Sequence, residues 1–555
     1  MFSHHSRCLK ERAQQNMKGT RMSIERTLDG KAYAGNSPVR FDEGEVASCT
    51  AEASLRRVPC RRQPEGRASG CAATPRRGSL LYKVALYSKG AIIASVILPF
   101  SLAGLAETVL SFAPEGASWS AGSGTFKFED VDNWTRNSSG TGDELLVKDT
   151  SVTLCLDDDV ALTKIKLRDG YSTRIIGFDL RNHTLKSTSA FRIWNQNVVM
   201  SNGIWNASSI TLGESSVPNA HLTLSNMVVN VSSSSLPVGF ANNSLTLYDS
   251  ALELGRSWNE GIVSAPHARL ILKNSSIAAN NTAASALKVY DPDFKVLIDG
   301  ERSNFRSGYI LFGKGAIGSE LSIRDGVSSY SQDSYSLVEF ADGATNNLVT
   351  IGPMGSAFYR NLLRFRPGSF GNRVVVESGA EAKFHSTPVA VPFAGANNRI
   401  EIDDGTFSLT LFYAGTDLVS SNNAVVLSGD AATFTVARNF IVGNKDNANP
   451  PRFEFKPGPL GFNNVAPFRL TGNDSYAKAI TNMIVSVDAT EYVGKKIGKF
   501  KLPLMKFSYT PQCLEIDELN ANLESDPEGG RLTYEPKDKT LYWNYRNVGM
   551  TIIFW

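Results

Sequence analysis

Apolar and polar residues alternate in short bursts along most of this chain, and the bursts return about every 25 residues. Phrases such as Leu245-Thr246-Leu247, Leu270-Ile271-Leu272 and Ile400-Glu401-Ile402 keep apolar side chains at every second position, the pattern of a strand with one buried face. The first apolar residues of the phrases are Val152, Ile175, Val198, Leu222, Leu245, Leu270, Val296, Leu321, Leu348, Val374, Ile400, Val425 and Phe453, thirteen positions at intervals of 23 to 28 residues. Turn-forming pairs are as regular: Asp169-Gly170, Asp299-Gly300, Asp325-Gly326, Asp342-Gly343 and Asp404-Gly405 offer the positive φ that a tight corner needs. Sustained helical periodicity is nearly absent. A fixed period of this size marks a stacked-repeat architecture. About 25 residues at ~3.3 Å each trace a perimeter of roughly 80 Å, room for three short strands and their turns.

The pattern therefore predicts an all-β fold, a right-handed parallel β-helix (β-solenoid) of about 13 coils over residues 146–490. Leu245, Leu270, Val296, Leu321 and Leu348 should stack inward coil on coil, with Ser322 facing outward. An antiparallel sandwich or propeller competes, because Asp-Gly also marks hairpins. Propeller blades need ~40 residues or more, which this period does not reach. Asn242-Asn243, Asn346-Asn347, Asn397-Asn398 and Asn422-Asn423 stand just ahead of four of the phrases. Two readings are open for them: a ladder of stacked side-chain amides, or residues that simply suit turns.

The ends have a different texture. Trp119, a Gly-rich stretch and Asp132-Asn133-Trp134 precede the first coil, so residues 107–145 should form an aromatic N-terminal cap over an otherwise open end. Residues 491–555 should form a β-rich C-terminal cap. There Leu532-Thr533-Tyr534 and Leu541-Tyr542-Trp543 flank the charged turn Glu535-Pro536-Lys537-Asp538-Lys539 and read as a hairpin, with Lys and Pro discouraging edge-to-edge pairing.

Charge and cysteine divide the chain further. Residues 1–80 are net +7 and rich in Arg, Ser and Gly; residues 107–555 are net −6. A mildly acidic body argues against nucleic acid as a partner, since phosphate binding needs a cationic face. Residues 81–106 read as a signal peptide: Lys83 and Lys89, the apolar run Ala91 to Leu102, then Gly104-Leu105-Ala106 before Glu107. The apolar run is short for a membrane span, so the mature chain should be exported, starting near Glu107, with no transmembrane segment. Residues 1–80 then stand as a disordered leader or as sequence ahead of a true start near Leu80. Cys8, Cys49, Cys60 and Cys71 fall in that segment, and Cys155 and Cys513 are too far apart along the expected rod to pair.

The Trp119 and Trp134 opening, leading through Gly142-Asp143 into the first strand, resembles bacterial secreted β-solenoids similar to autotransporter passenger domains. The likeness covers that opening and the repeat style of roughly residues 117–470. The chain departs from it after residue 490, where only 65 residues remain, too few for a translocator barrel. A long regular scaffold without a carboxylate-and-base constellation leads to the expectation of a secreted or cell-surface, non-enzymatic rod, adhesin-like or matrix-type, whose partner would be a polysaccharide or a cell-surface ligand.

Candidate chemistry is sparse. Pectin-lyase-like enzymes also use parallel β-helices, so a carbohydrate-active β-helix (polysaccharide lyase or glycoside hydrolase) is the alternative. It would need converging carboxylates with a Lys, Arg or His. Asp157-Asp158-Asp159 and Asp291-Pro292-Asp293 are the densest acidic runs and read as solvated turns, with a Ca²⁺ site as the rival reading. His183, His221, His267 and His385 lack metal-ligand spacing and read as surface or turn residues, and Cys155 reads as a packed or edge-facing thiol. Sequons such as Asn206-Ala207-Ser208 are frequent, as an Asn- and Ser-rich chain produces by chance. No catalytic, cofactor-binding or metal-binding residue is assigned, and no cofactor is expected.

Overall fold

The computed structural model describes residues 151–547 apart from internal segments of up to seven residues, together with four short strands ahead of them, Ala117–Trp119, Gly124–Lys127, Trp134–Arg136 and Leu145–Leu146. The expected leader, signal peptide and cleavage point at Glu107 lie outside the described residues, as do Cys513 and His385.

The described chain is nearly all β and winds as a parallel β-solenoid. Its first face carries the predicted phrases. Val152, Ile176, Val198, Leu222, Leu245, Leu270 and Val296 are successive parallel partners, and the row continues through Leu321, Val349, Val374, Ile400, Val425, Phe453 and Val485. None of the fourteen exceeds 2% exposure. Each inward side chain thus rests on the one a coil below, so apolar surface is buried along the axis as well as across the section.

Two expected members of the row are displaced by one residue. Ile175, half exposed, pairs with Asn197 on the outer face, while Ile176 takes the inward place. Leu348 pairs with outward Glu320, and Val349 lies on Leu321. In both strands two apolar residues are adjacent, and a one-residue shift exchanges the faces. Ser322 does alternate outward from Leu321, yet it is only 5% exposed, with its hydroxyl donating to Glu320 Oε1 at 2.6 Å.

The coil number also differs: about nine regular turns rather than 13. Turns with a strand on each of three faces run from Ser244 to Lys478. The earlier phrases sit on longer strands; Asn197–Leu212 passes through the corners and pairs with Ile175–Asp179 and then Thr184–Ile193.

At the corner before the first face both readings of the paired asparagines hold, one for each member. Asn242, Asn346, Asn397 and Asn422 have φ of 52–63° and turn the chain, a conformation that asparagine tolerates. Asn243, Asn347, Asn398 and Asn423 are buried beside them. Asn347 donates its backbone N–H and its side-chain amide to Asn372 Oδ1 at 3.0 and 2.9 Å. Asn372 does the same to Asn398 Oδ1, at 3.0 and 3.1 Å, and the Asn398 backbone donates to Asn423 Oδ1 at 2.9 Å. Serine builds a ladder at the next corner: Ser250 N–H donates to Ser275 Oγ at 3.0 Å and Ser275 N–H to Ser303 Oγ at 3.2 Å. Four of the Asp-Gly pairs make corners of the solenoid, and Asp169-Gly170 lies outside the described residues. Gly300 and Gly343 take positive φ at two of them, whereas at two others the aspartates Asp325 and Asp404 do.

The interior changes along the axis. In the N-terminal coils Phe178, Phe191 and Trp205 pack edge-on among aliphatic side chains, and further along phenylalanines stack in rows, with Phe312, Phe340 and Phe365 at centroid spacings of 4.9 and 4.8 Å. Parallel pairing continues past residue 490 through Phe468–Met505 and Ser486–Glu524. It then gives way to the expected antiparallel hairpin, in which Tyr534 faces Leu541 and Leu532 faces Trp543. Leu502, Leu504, Leu532, Leu541 and Trp543 are fully buried there, joined by Leu519 of the short helix Ile516–Ala521. At the other end the backbones of Trp119 and Trp134 are antiparallel partners.

Candidate functional site

A groove of about 540 Å³ lies where the second face turns towards the third. Four consecutive coils build it from Lys186 to Thr188, Asn206 to Ser208, Asn230 to Ser232 and Glu253 to Gly255. Because register is constant, Lys186, Asn206, Asn230 and Glu253 are successive strand partners and form one row along the axis. A cation stands at one end, a carboxylate at the other, and two amides between them. Asn230 Nδ2 donates to Asn206 Oδ1 at 2.9 Å, leaving further donor and acceptor positions on the pair. Next to this row Ala207, Val231 and Leu254 turn the other way, into the core, and are almost fully covered.

The walls follow from the corner's backbone. Ser232 Oγ donates to the Ser208 carbonyl at 3.2 Å, and Gly255 N–H to the Val231 carbonyl at 2.7 Å. A Cβ at Gly255 would lie 2.3 Å from the Ser232 carbonyl oxygen, so glycine is what lets the fourth coil close onto the third. Ser187 also lines the groove; it is 2% exposed and its Oγ has no hydrogen-bond partner. A buried hydroxyl left unpaired carries a desolvation cost that a ligand's polar group would remove.

The residues singled out in the sequence fall elsewhere. Asp157, Asp158 and Asp159 form an exposed bend in which Asp157 takes Arg181 at 2.8 Å and Asp159 accepts the Thr184 N–H at 2.7 Å. Asp291 accepts Ser264 Oγ at 2.8 Å, and Asp293 lies in a turn 3.2 Å from His267, which is itself a corner residue with φ of 57°. His183 sits 3.7 Å from Asp159. His221 is half-buried against Ser244 Oγ at 2.8 Å, and loss of solvation lowers its pKa. Cys155 is packed and free, with burial pushing its thiol up.

One buried carboxylate was not anticipated. Glu339, on the outer side of the third face, meets Arg366 at 3.0 Å and Arg364 at 3.4 Å, and the Tyr309 phenol beside it is raised by burial and by that carboxylate. Two guanidiniums neutralise this group, and the site supplies one carboxylate where glycoside hydrolysis uses two. The groove was missed as well, although a signal for it existed. Asn206-Ala207-Ser208 and Asn230-Val231-Ser232 are the same polar-apolar-polar triplet 24 residues apart, one coil in this chain.

The fold and groove define the chain as a parallel β-solenoid with a polar-edged axial groove. No protein-family model, curated protein or solved structure matches it.

Proposed function

We propose that this protein is a secreted or cell-surface, non-enzymatic rod, adhesin-like or matrix-type, that holds a polysaccharide along its second corner. The observation that carries the reading is the row Lys186, Asn206, Asn230, Glu253 along the groove, one side chain from each of four successive coils. Adjacent coils repeat at about 4.8 Å, close to the length of one pyranose unit. A linear glycan lying along the axis would therefore meet equivalent groups from successive coils. Amides and hydroxyls suit sugar hydroxyls because each both donates and accepts. Kinship with autotransporter passengers, which rests on the sequence likeness, and export, which rests on the signal-peptide pattern of residues 81–106, belong to the same proposal.

The test is retention of the purified chain on immobilised polysaccharides, with reducing ends and unsaturated products measured in the same samples. Retention without turnover, weakened at least tenfold by Asn230→Leu, is expected. Turnover abolished by a single acidic substitution would establish the carbohydrate-active alternative instead.

A further inference from the structure

Arg360 ends the strand Ala357–Arg360 and points into the solenoid, where it is fully buried. Its Nη1 donates to the Tyr359 carbonyl at 2.7 Å, and its Nη2 donates to Ser328 Oγ at 2.7 Å and Ser307 Oγ at 3.1 Å. The guanidinium lies 4.8 Å from the centroid of the Phe358 ring. All of these partners are neutral, and Nε has none. The carboxylate of Glu381 is engaged by the neighbouring Tyr359 hydroxyl at 2.8 Å. Burial pulls the Arg360 pKa down to about 9, which still leaves it protonated at neutral pH. A buried cation without a counter-charge is among the costliest arrangements in a protein core.

The strand pairing shows which side chains share the inward row with Phe358, two residues before Arg360. The inward row of the second face reads Ile277, Phe305, Ser328, Phe358, Ala382, Phe407. Small residues thus interrupt a row of large ones on both sides of Phe358. Ser328 Oγ also reaches the Phe305 carbonyl at 3.3 Å. The Ser307 hydroxyl accepts from Arg360, which leaves its own hydrogen to donate. Arg360 Nε–H and Ser307 Oγ–H are therefore two donors inside an apolar shell, beside a positive charge. That combination selects an anion, and the closed surroundings select a small one.

We propose that this part of the core holds a small monovalent anion, chloride in ordinary buffers, as the counter-ion of Arg360. The anion is a structural ligand, bound by the folded coils and released when they open, so its concentration biases folding by mass action. The polysaccharide groove has no part in it.

Two measurements on the full chain test the proposal. In crystals with bromide replacing chloride, an anomalous peak should lie within hydrogen-bonding reach of Arg360 Nε and Ser307 Oγ. In solution at fixed ionic strength, replacing chloride by gluconate should lower the urea midpoint, and Arg360→Met should remove that difference. Ser307→Ala, which keeps the guanidinium and deletes one donor, should weaken the apparent chloride affinity several-fold, and it serves in place of Arg360→Met if that variant does not fold. Absence of the bromide peak, or an anion dependence of equal size in both variants and the parent, would overturn the proposal.

Discussion

At the scale of single residues, the asparagine corner shows how two neighbouring identical side chains divide the work. The first uses its tolerance of positive φ; the second uses its paired donor and acceptor in a place water cannot reach. Asn372 has ladder partners on both sides and also donates to the Ala344 carbonyl at 3.0 Å. Asn372→Leu strands the Asn347 donors and takes one of two donors from Asn398 Oδ1, which keeps the backbone N–H of residue 372, so chemical denaturation should show a loss of about 2 kcal/mol or more. Leu321→Asp places an unpaired carboxylate in the inward row and should cost several kcal/mol, on the order of 4. Ser322 is a poor outward comparison, because it is covered and contacts the Glu320 carboxylate. Thr350, its half-buried row partner, is better; Thr350→Asp should cost under about 1 kcal/mol, and equal urea midpoints for the two aspartate variants would refute the facing assignment.

His221 adds a pH dependence. Its folded pKa lies below the unfolded value, so below about pH 6.5 the unfolded chain binds the extra proton. Stability from this group is present above the unfolded pKa and declines as pH falls through it towards the folded one. The urea midpoint should drop between pH 7.5 and 5.5, and His221→Gln should make that drop smaller.

Elements were legible in proportion to how far their pattern is local. Alternation located the first-face strands because the buried face demands an apolar residue at every second place. It misplaced Ile175 and Leu348 because each has an apolar neighbour, and only the strand's partners decide which of two adjacent apolar residues turns inward. The hairpin at Leu532 and Leu541 was readable from its two aromatic-rich arms and charged turn. The Arg360 site was not, since it is made by residues one or two coils apart whose shared position is a property of register, and the groove showed only as a polar-apolar-polar triplet repeated one coil apart. Arg360 follows Tyr359 in a mixed phrase, and nothing in the phrase says which of the two is inside. The C-terminal hairpin has its own consequence. Strand Gly498–Phe507 is paired on its antiparallel side by Thr540–Asn547, so removing residues 531–547 bares that strand's edge and the apolar Leu502 and Leu504. Sedimentation should then reveal association of the truncated chain, whereas the parent keeps its own oligomeric state.

For the whole molecule, each coil touches chiefly the coils next to it, and stability is close to a sum of coil and interface contributions. The backbone hydrogen bonds that join the coils, from Val152 through Val485, all run along the axis. Seen as a mechanical element, the molecule is therefore anisotropic. Tension along the axis loads those bonds one interface at a time, as in peeling, so a coil can leave while the next stays seated. Tension along the strand direction would load a whole ladder at once in shear. A chain held by its ends in a force experiment should lengthen in steps of roughly 80 Å, the contour of one 25-residue turn, at forces lower than shear-loaded sheets sustain. The same parallel register that hides the interior would make a tether that yields in small, repeatable increments.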